Sequence, residues 1–139
     1  MNIVVLVGRI LFGMIFLSSG FAHIQKRTAM SQYAGFMKVP APLASTILSG
    51  LLIFAGGLMV ILGVWADLGA LLLVVFLIPT AFLMHAFWKI KDPQQSQADM
   101  AHFMKDIALA GAALVAFAFF AYAGSDLGLT ITGSLFNLR

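Results

Sequence analysis

Three histidines, one lysine and one aspartate fall at spacings that could gather them into a site. His85 and Trp88 lie three residues apart, and His102, Lys105 and Asp106 occupy i, i+3 and i+4. On a helix each set shares one face. His23, at the end of an earlier apolar stretch, is the third histidine. Such a set could hold a small molecule's head group, move protons or bind a metal. Metal is the least favoured of these. The chain has no His-x-x-His or Glu-x-x-His pair, no glutamate and no cysteine, so the usual ligand spacings are missing. Thiolate sites, Fe–S clusters, c-type haem and dithiol chemistry are excluded, and a b-haem held by the histidines is disfavoured. The absent cysteines leave the redox compartment open. Neither a nucleophile elbow nor a serine–histidine motif is visible. The competing reading is plain: Trp, Tyr and His often do no more than anchor a helix at the membrane surface.

The elements that must position these residues are four apolar stretches, Ile3–Ile24, Leu43–Val64, Leu68–Trp88 and Phe103–Ala123, of 21 or 22 residues each. A helix of that length rises roughly 31–33 Å, enough to cross a hydrocarbon core about 30 Å thick. The composition agrees, at 62% hydrophobic and 9% charged; a soluble domain carries about 25% charged residues. Lipid admits only helices or closed barrels. The apolar runs are continuous and do not alternate, so the fold class is all-α. The expectation is one transmembrane four-helix bundle over residues 1–139, with both longer loops on one side. The first stretch is longer than a signal-peptide core and carries Arg9 inside it, so it reads as a span. The net charge of +3 comes without a basic patch interleaved with aromatics, so nucleic acid is not an expected partner. The lipid bilayer is.

Loop charge gives an orientation. Lys26, Arg27 and Lys38 lie between the first two stretches, and Lys89 and Lys91 between the last two. Positive loops stay cytoplasmic, so both termini are expected outside. Pro79 should kink the third helix. Small residues at helical spacing, Ala108, Ala112 and Ala116 in the fourth stretch and Ser45, Ser49, Gly50, Gly56 and Gly57 in the second, allow close helix approach in lipid. Polar residues then sort into two layers. On the outer side Arg9 is expected to pair with Asp67 or Asp126; the alternatives are that it snorkels to the head groups or holds an anionic head group or quinone carbonyl. On the inner side His85 should face Lys105 or Asp106 across a small pocket closed by His23, with Tyr33 and Gln32 folded back over it. Lys105 and Asp106 are placed in the first turn of the fourth helix.

At these residues the chain resembles the DoxX family of small four-helix membrane proteins. The resemblance runs through Gly8-Arg9-Ile10-Leu11, Phe16-Leu17-Ser18-Ser19-Gly20-Phe21-Ala22-His23 and Gly56-Gly57-Leu58 with Leu62-Gly63. It is clearest in Ala81-Phe82-Leu83-Met84-His85-Ala86-Phe87-Trp88 and in His102–Gly111. The family often has lysine where this chain has His23, glutamate where it has Ile53, and asparagine where it has Asp106. The resemblance implies association with membrane redox complexes, since named members are linked to thiosulfate:quinone oxidoreduction, often as a partner subunit.

The expected function is therefore that of an inner-membrane subunit binding a quinone-like or lipid-like molecule, a larger redox partner, or a second copy of itself. The candidate binding residues are Arg9, His23, His85, Trp88, His102, Lys105 and Asp106, with quinone the cofactor to consider. A quinone-linked oxidoreductase subunit with its own proton-handling site is the alternative. A small transporter or oligomeric channel is a third, disfavoured for a single bundle by the few polar residues within its spans.

Overall fold

The computed structural model describes residues 2–138, and all the regular structure among them is helical. Five α-helices follow in order: α1 (Asn2–Gln25), α2 (Arg27–Phe36), α3 (Pro42–Leu62), α4 (Ala66–Met84) and α5 (Pro93–Ala123). Four of them, all but α2, are long and apolar enough to cross a membrane. With the stretches as apolar as they are, the protein is a multi-pass membrane protein.

The helices form an arc more than a closed ring. α3 packs against both α1 and α4, and α5 packs on α4, while α1 and α5 share no extended interface. Close approach explains the strength of the first two contacts. A Cβ at Gly20 would lie 2.7 Å from the Gly50 carbonyl oxygen, and one at Gly50 would lie 2.5 Å from the His23 Cβ. α1 and α3 therefore touch backbone to backbone, as small residues permit in lipid. The expected glycine stripe of α3 is thus real. The alanine stripe of α5 divides: Ala108 and Ala112 face outward, while Ala116 is partly buried against the core that Ala110 and Ala113 join. The seam α5 presents to α4 instead runs through Asp99, Phe103, Asp106, Ala110, Ala113, Phe117 and Phe120. That alternating spacing of three and four keeps one narrow face toward a neighbour.

Three other expectations are corrected. The first loop holds a helix, α2, which leans on α3. It ends in a Schellman-type closure, with Lys38 N–H bonded to Gly35 and Val39 N–H to Ala34. The third span reaches Lys89 as a whole, but its α-helix ends at Met84, so His85 and Trp88 do not share a continuous helix. The chain turns at Ala86 (φ −76°, ψ 65°), where the Phe87 N–H donates to the His85 carbonyl at 2.9 Å, an inverse γ-turn. Trp88 then falls in a 3-10 turn, Phe87–Lys89. The fourth span starts ten residues early, at Pro93. Asp92 caps it, accepting from the Gln95 N–H at 2.8 Å, and proline suits the first helical position. Lys105 and Asp106 thus lie several turns into α5. Pro79 stays inside α4.

At the end of the bundle away from α2, residues after Asp126 fold back over the α3–α4 turn. Ile131 and Thr132 N–H donate to the Gly63 carbonyl, and the Thr132 hydroxyl accepts from the Trp65 N–H at 2.8 Å. Gly63 sits at φ 68°, and a Cβ there would press on Arg9 and Thr130. Glycine is needed at this turn both for its conformation and for the space.

Candidate functional site

Among the described residues, Arg9 makes no ion pair with either of the carboxylates at its end of the bundle. Arg9 is 4% exposed, too buried to snorkel. Its guanidinium donates from Nε to the Val60 carbonyl (2.8 Å), from Nη1 to Leu129 (2.8 Å) and from Nη2 to Ile61. Two of these acceptors belong to the last turn of α3, where carbonyls lack helical partners and a cation is favoured. Asp67, fully buried, lies in the first turn of α4 and accepts from the Phe136 N–H at 2.6 Å. The expected Arg9–Asp67 or Arg9–Asp126 ion pair is absent among the described residues. Each helix end takes the charge that suits its dipole; the tail adds an acceptor for Arg9 at Leu129 and a donor for one Asp67 oxygen at Phe136, while Asp67 Oδ1 is buried without a hydrogen-bond partner. Arg9 is therefore remote from the other candidate residues.

At the opposite end, a cavity of about 860 Å³ lies between the halves of α3 and α4 nearest α2. Its throat is apolar, with Leu48, Leu52, Val75, Phe76 and Leu83. Leu48, Val75 and Leu83 are also 65%, 57% and 52% exposed. The cavity therefore opens sideways between α3 and α4, at the depth of the spans. α2 forms its roof through Met30, Tyr33 and Ala34, and α1 its inner wall through Ser19 and His23.

The polar end of the cavity collects five of the seven candidate residues: His23, His85, His102, Lys105 and Asp106. Trp88 is not among them. It is half-exposed and packs edge-on against Phe87 and Phe103 with Phe82 alongside, so it fits the anchoring reading. His23 Nδ1 lies 3.2 Å from the Thr46 carbonyl and from the Ser49 hydroxyl. A carbonyl can only accept, so the proton is assigned to Nδ1 and Nε2 is left for the cavity.

His85 caps α4 and stands between two buried carboxylates of α5. Its Nδ1 is 3.6 Å from Asp99 Oδ1 and its Nε2 is 3.8 Å from Asp106 Oδ2. Asp106 Oδ1 is 3.4 Å from the Lys105 ammonium. The His102 ring stacks on His85 with centroids 5.1 Å apart. His85 Nδ1 and Asp99 Oδ2 are buried without a hydrogen-bond partner, so the cluster is packed by charge more than by hydrogen bonds. Tyr33 completes it from α2. Burial, and then the Asp99 charge, hold its phenol above the ordinary value, which keeps it a neutral hydroxyl at physiological pH. Gln32 does not line the cavity.

Sequence reasoning missed Asp99, Lys26, Thr46 and Ser49. Asp99 had a legible signal: it precedes Asp106 by seven residues, two helical turns on one face, once Asp92-Pro93 is read as a helix start. No group of metal-ligating side chains fit for an ion occurs among the described residues.

Comparison with known proteins adds a family. The DoxX sequence pattern matches residues 4–86, which takes in α1 to α4, His23 and His85. An Escherichia coli (strain K12) protein, "Inner membrane protein YphA", is 24% identical over 113 residues, 81% of this chain and 80% of that protein. No solved structure matches. The four spans, the glycine-packed α1–α3 pair and the matched pattern together lead to one conclusion: the chain belongs to the DoxX family.

Proposed function

We propose that this protein is an inner-membrane subunit that binds the head of a quinone-like or lipid-like amphiphile. The observation that carries the reading is the cavity: apolar at its throat, polar at its end, and open sideways between α3 and α4. Binding pockets are mostly apolar with a few converging polar groups. A molecule with an apolar tail could enter from the bilayer without leaving it. His23, His85, His102, Lys105 and Asp106 are the residues we assign to the head. The similarity to an inner membrane protein supports the location, and the loop lysines support the α2 end facing the cytoplasm.

A second reading, a quinone-linked oxidoreductase subunit with its own proton-handling site, is favoured by one observation. His85 stands between Asp99, off the cavity wall, and Asp106, on it. An imidazole held between two carboxylates can pass a proton from one side to the other.

The test is mass spectrometry of the small molecules that survive mild-detergent purification. Wild type should carry an amphiphile at near-stoichiometric amount. Thr80→Phe, which fills the cavity from α4, should lose it and stay folded. A quinol-type molecule in the extract would favour the second reading. Equal content in wild type and Thr80→Phe would remove the cavity as the binding site.

A further inference from the structure

On the reading that the cavity holds an amphiphile's head, we propose that this head is anionic, a phosphate or a carboxylate. Three side chains with fixed charge line the cavity: Lys26, Lys105 and Asp106. Asp106 is already engaged, with one oxygen 3.4 Å from the Lys105 ammonium and the other 3.8 Å from His85 Nε2. It is buried, so it offers a ligand little free negative charge. Asp99 lies beyond His85 and off the cavity wall. Lys26 has no carboxylate within ion-pair distance among the described residues.

The cavity therefore presents an ammonium without a carboxylate partner, and His102 and Tyr33, which can also donate, line it as well. An anionic head supplies the missing counter-charge and accepts those donors. Charge-assisted bonds of this kind are the stronger ones, and lysine is a common partner of phosphate. A neutral carbonyl head would leave Lys26 unmatched. A cationic head would face it as a like charge.

The experiment uses the full-length protein in a neutral maltoside detergent and native mass spectrometry. The probes are dodecyl phosphate, dodecanoate, dodecanol, dodecyltrimethylammonium and inorganic phosphate. Dodecyl phosphate and dodecanoate should bind one per chain, about tenfold tighter than dodecanol, the worth of one charge-assisted bond. Lys26→Gln, an exposed change, should remove that advantage, and Thr80→Phe should block both probes. Dodecanol binding as tightly as dodecyl phosphate, with Thr80→Phe blocking both, would overturn the anionic head and leave the cavity reading standing. Binding of every probe unaffected by Thr80→Phe would overturn the cavity reading and the proposal with it. Inorganic phosphate binding as tightly as dodecyl phosphate would overturn the amphiphile, making the ligand a soluble anion.

Discussion

Arg9 shows how a single residue can be read correctly in kind and wrongly in partner. A guanidinium inside an apolar stretch must be satisfied, because an isolated charge in lipid is costly. The sequence offers two carboxylates at the right level, and pairing follows naturally from it. What sequence does not show is that α3 ends beside Arg9, with Val60 and Ile61 carbonyls free, or that the tail returns to offer Leu129. Helix-end carbonyls are invisible to any residue-by-residue reading. Arg9→Leu removes the donors to all three. Bonds to charged groups contribute about 1.5–3 kcal/mol each, so a loss of more than about 3 kcal/mol is expected. Thermal unfolding in detergent should show it, with faster amide exchange at Ile131 and Thr132, whose N–H groups rest on Gly63 beside Arg9. A melting temperature equal to wild type would mean the tail is held without Arg9.

At the scale of the helix, apolar length located all four spans, because lipid leaves no other solution for such stretches. It failed at the polar ends. α2 is ten residues with Arg27, Thr28, Ser31 and Gln32 along it, too short and too polar to register as an element. The early start of α5 is written in Asp92-Pro93, but the first turns after it are polar and masked the helix. The small-residue stripes divide in the same way. Composition marks both α3 and α5 as capable of close packing, and only neighbours decide which face is used. Gly50 faces α1 at backbone contact, whereas Gly111 has nothing within 4 Å of where a Cβ would stand. Gly50→Ala should therefore cost about 1–3 kcal/mol through overpacking. Gly111→Ala should be neutral or gain up to about 1 kcal/mol from helix propensity. Melting both variants in one detergent would check the contrast. If Gly111→Ala destabilises as much as Gly50→Ala, the outward face of α5 has a partner in solution.

The whole molecule is asymmetric along the bundle. One end is sealed, with Arg9, Gly63 and Asp67 each hydrogen-bonded to the folded tail. The other is splayed between α3 and α4 and carries the cavity, the three histidines and α2. Charge follows the same division. Lys26, Arg27, Lys38, Lys89 and Lys91 stand at the open end. The sealed end has Asp67 and Asp126, with Arg9 consumed inside the bundle. Lysine and arginine in short loops fix orientation, and aspartate contributes little. The open end is therefore expected in the cytoplasm, and the cavity within reach of the inner leaflet. The absence of cysteine makes this simple to measure. Lys91→Cys and Ser125→Cys each introduce a single thiol at opposite ends on exposed positions. In intact cells, an impermeant maleimide should label the thiol at 125 and spare the one at 91, which a permeant maleimide should reach. The reverse pattern would place the termini in the cytoplasm and turn the cavity toward the outer leaflet. An amphiphile would then have to come from that side, and the loop lysines would be serving its head group more than the topology.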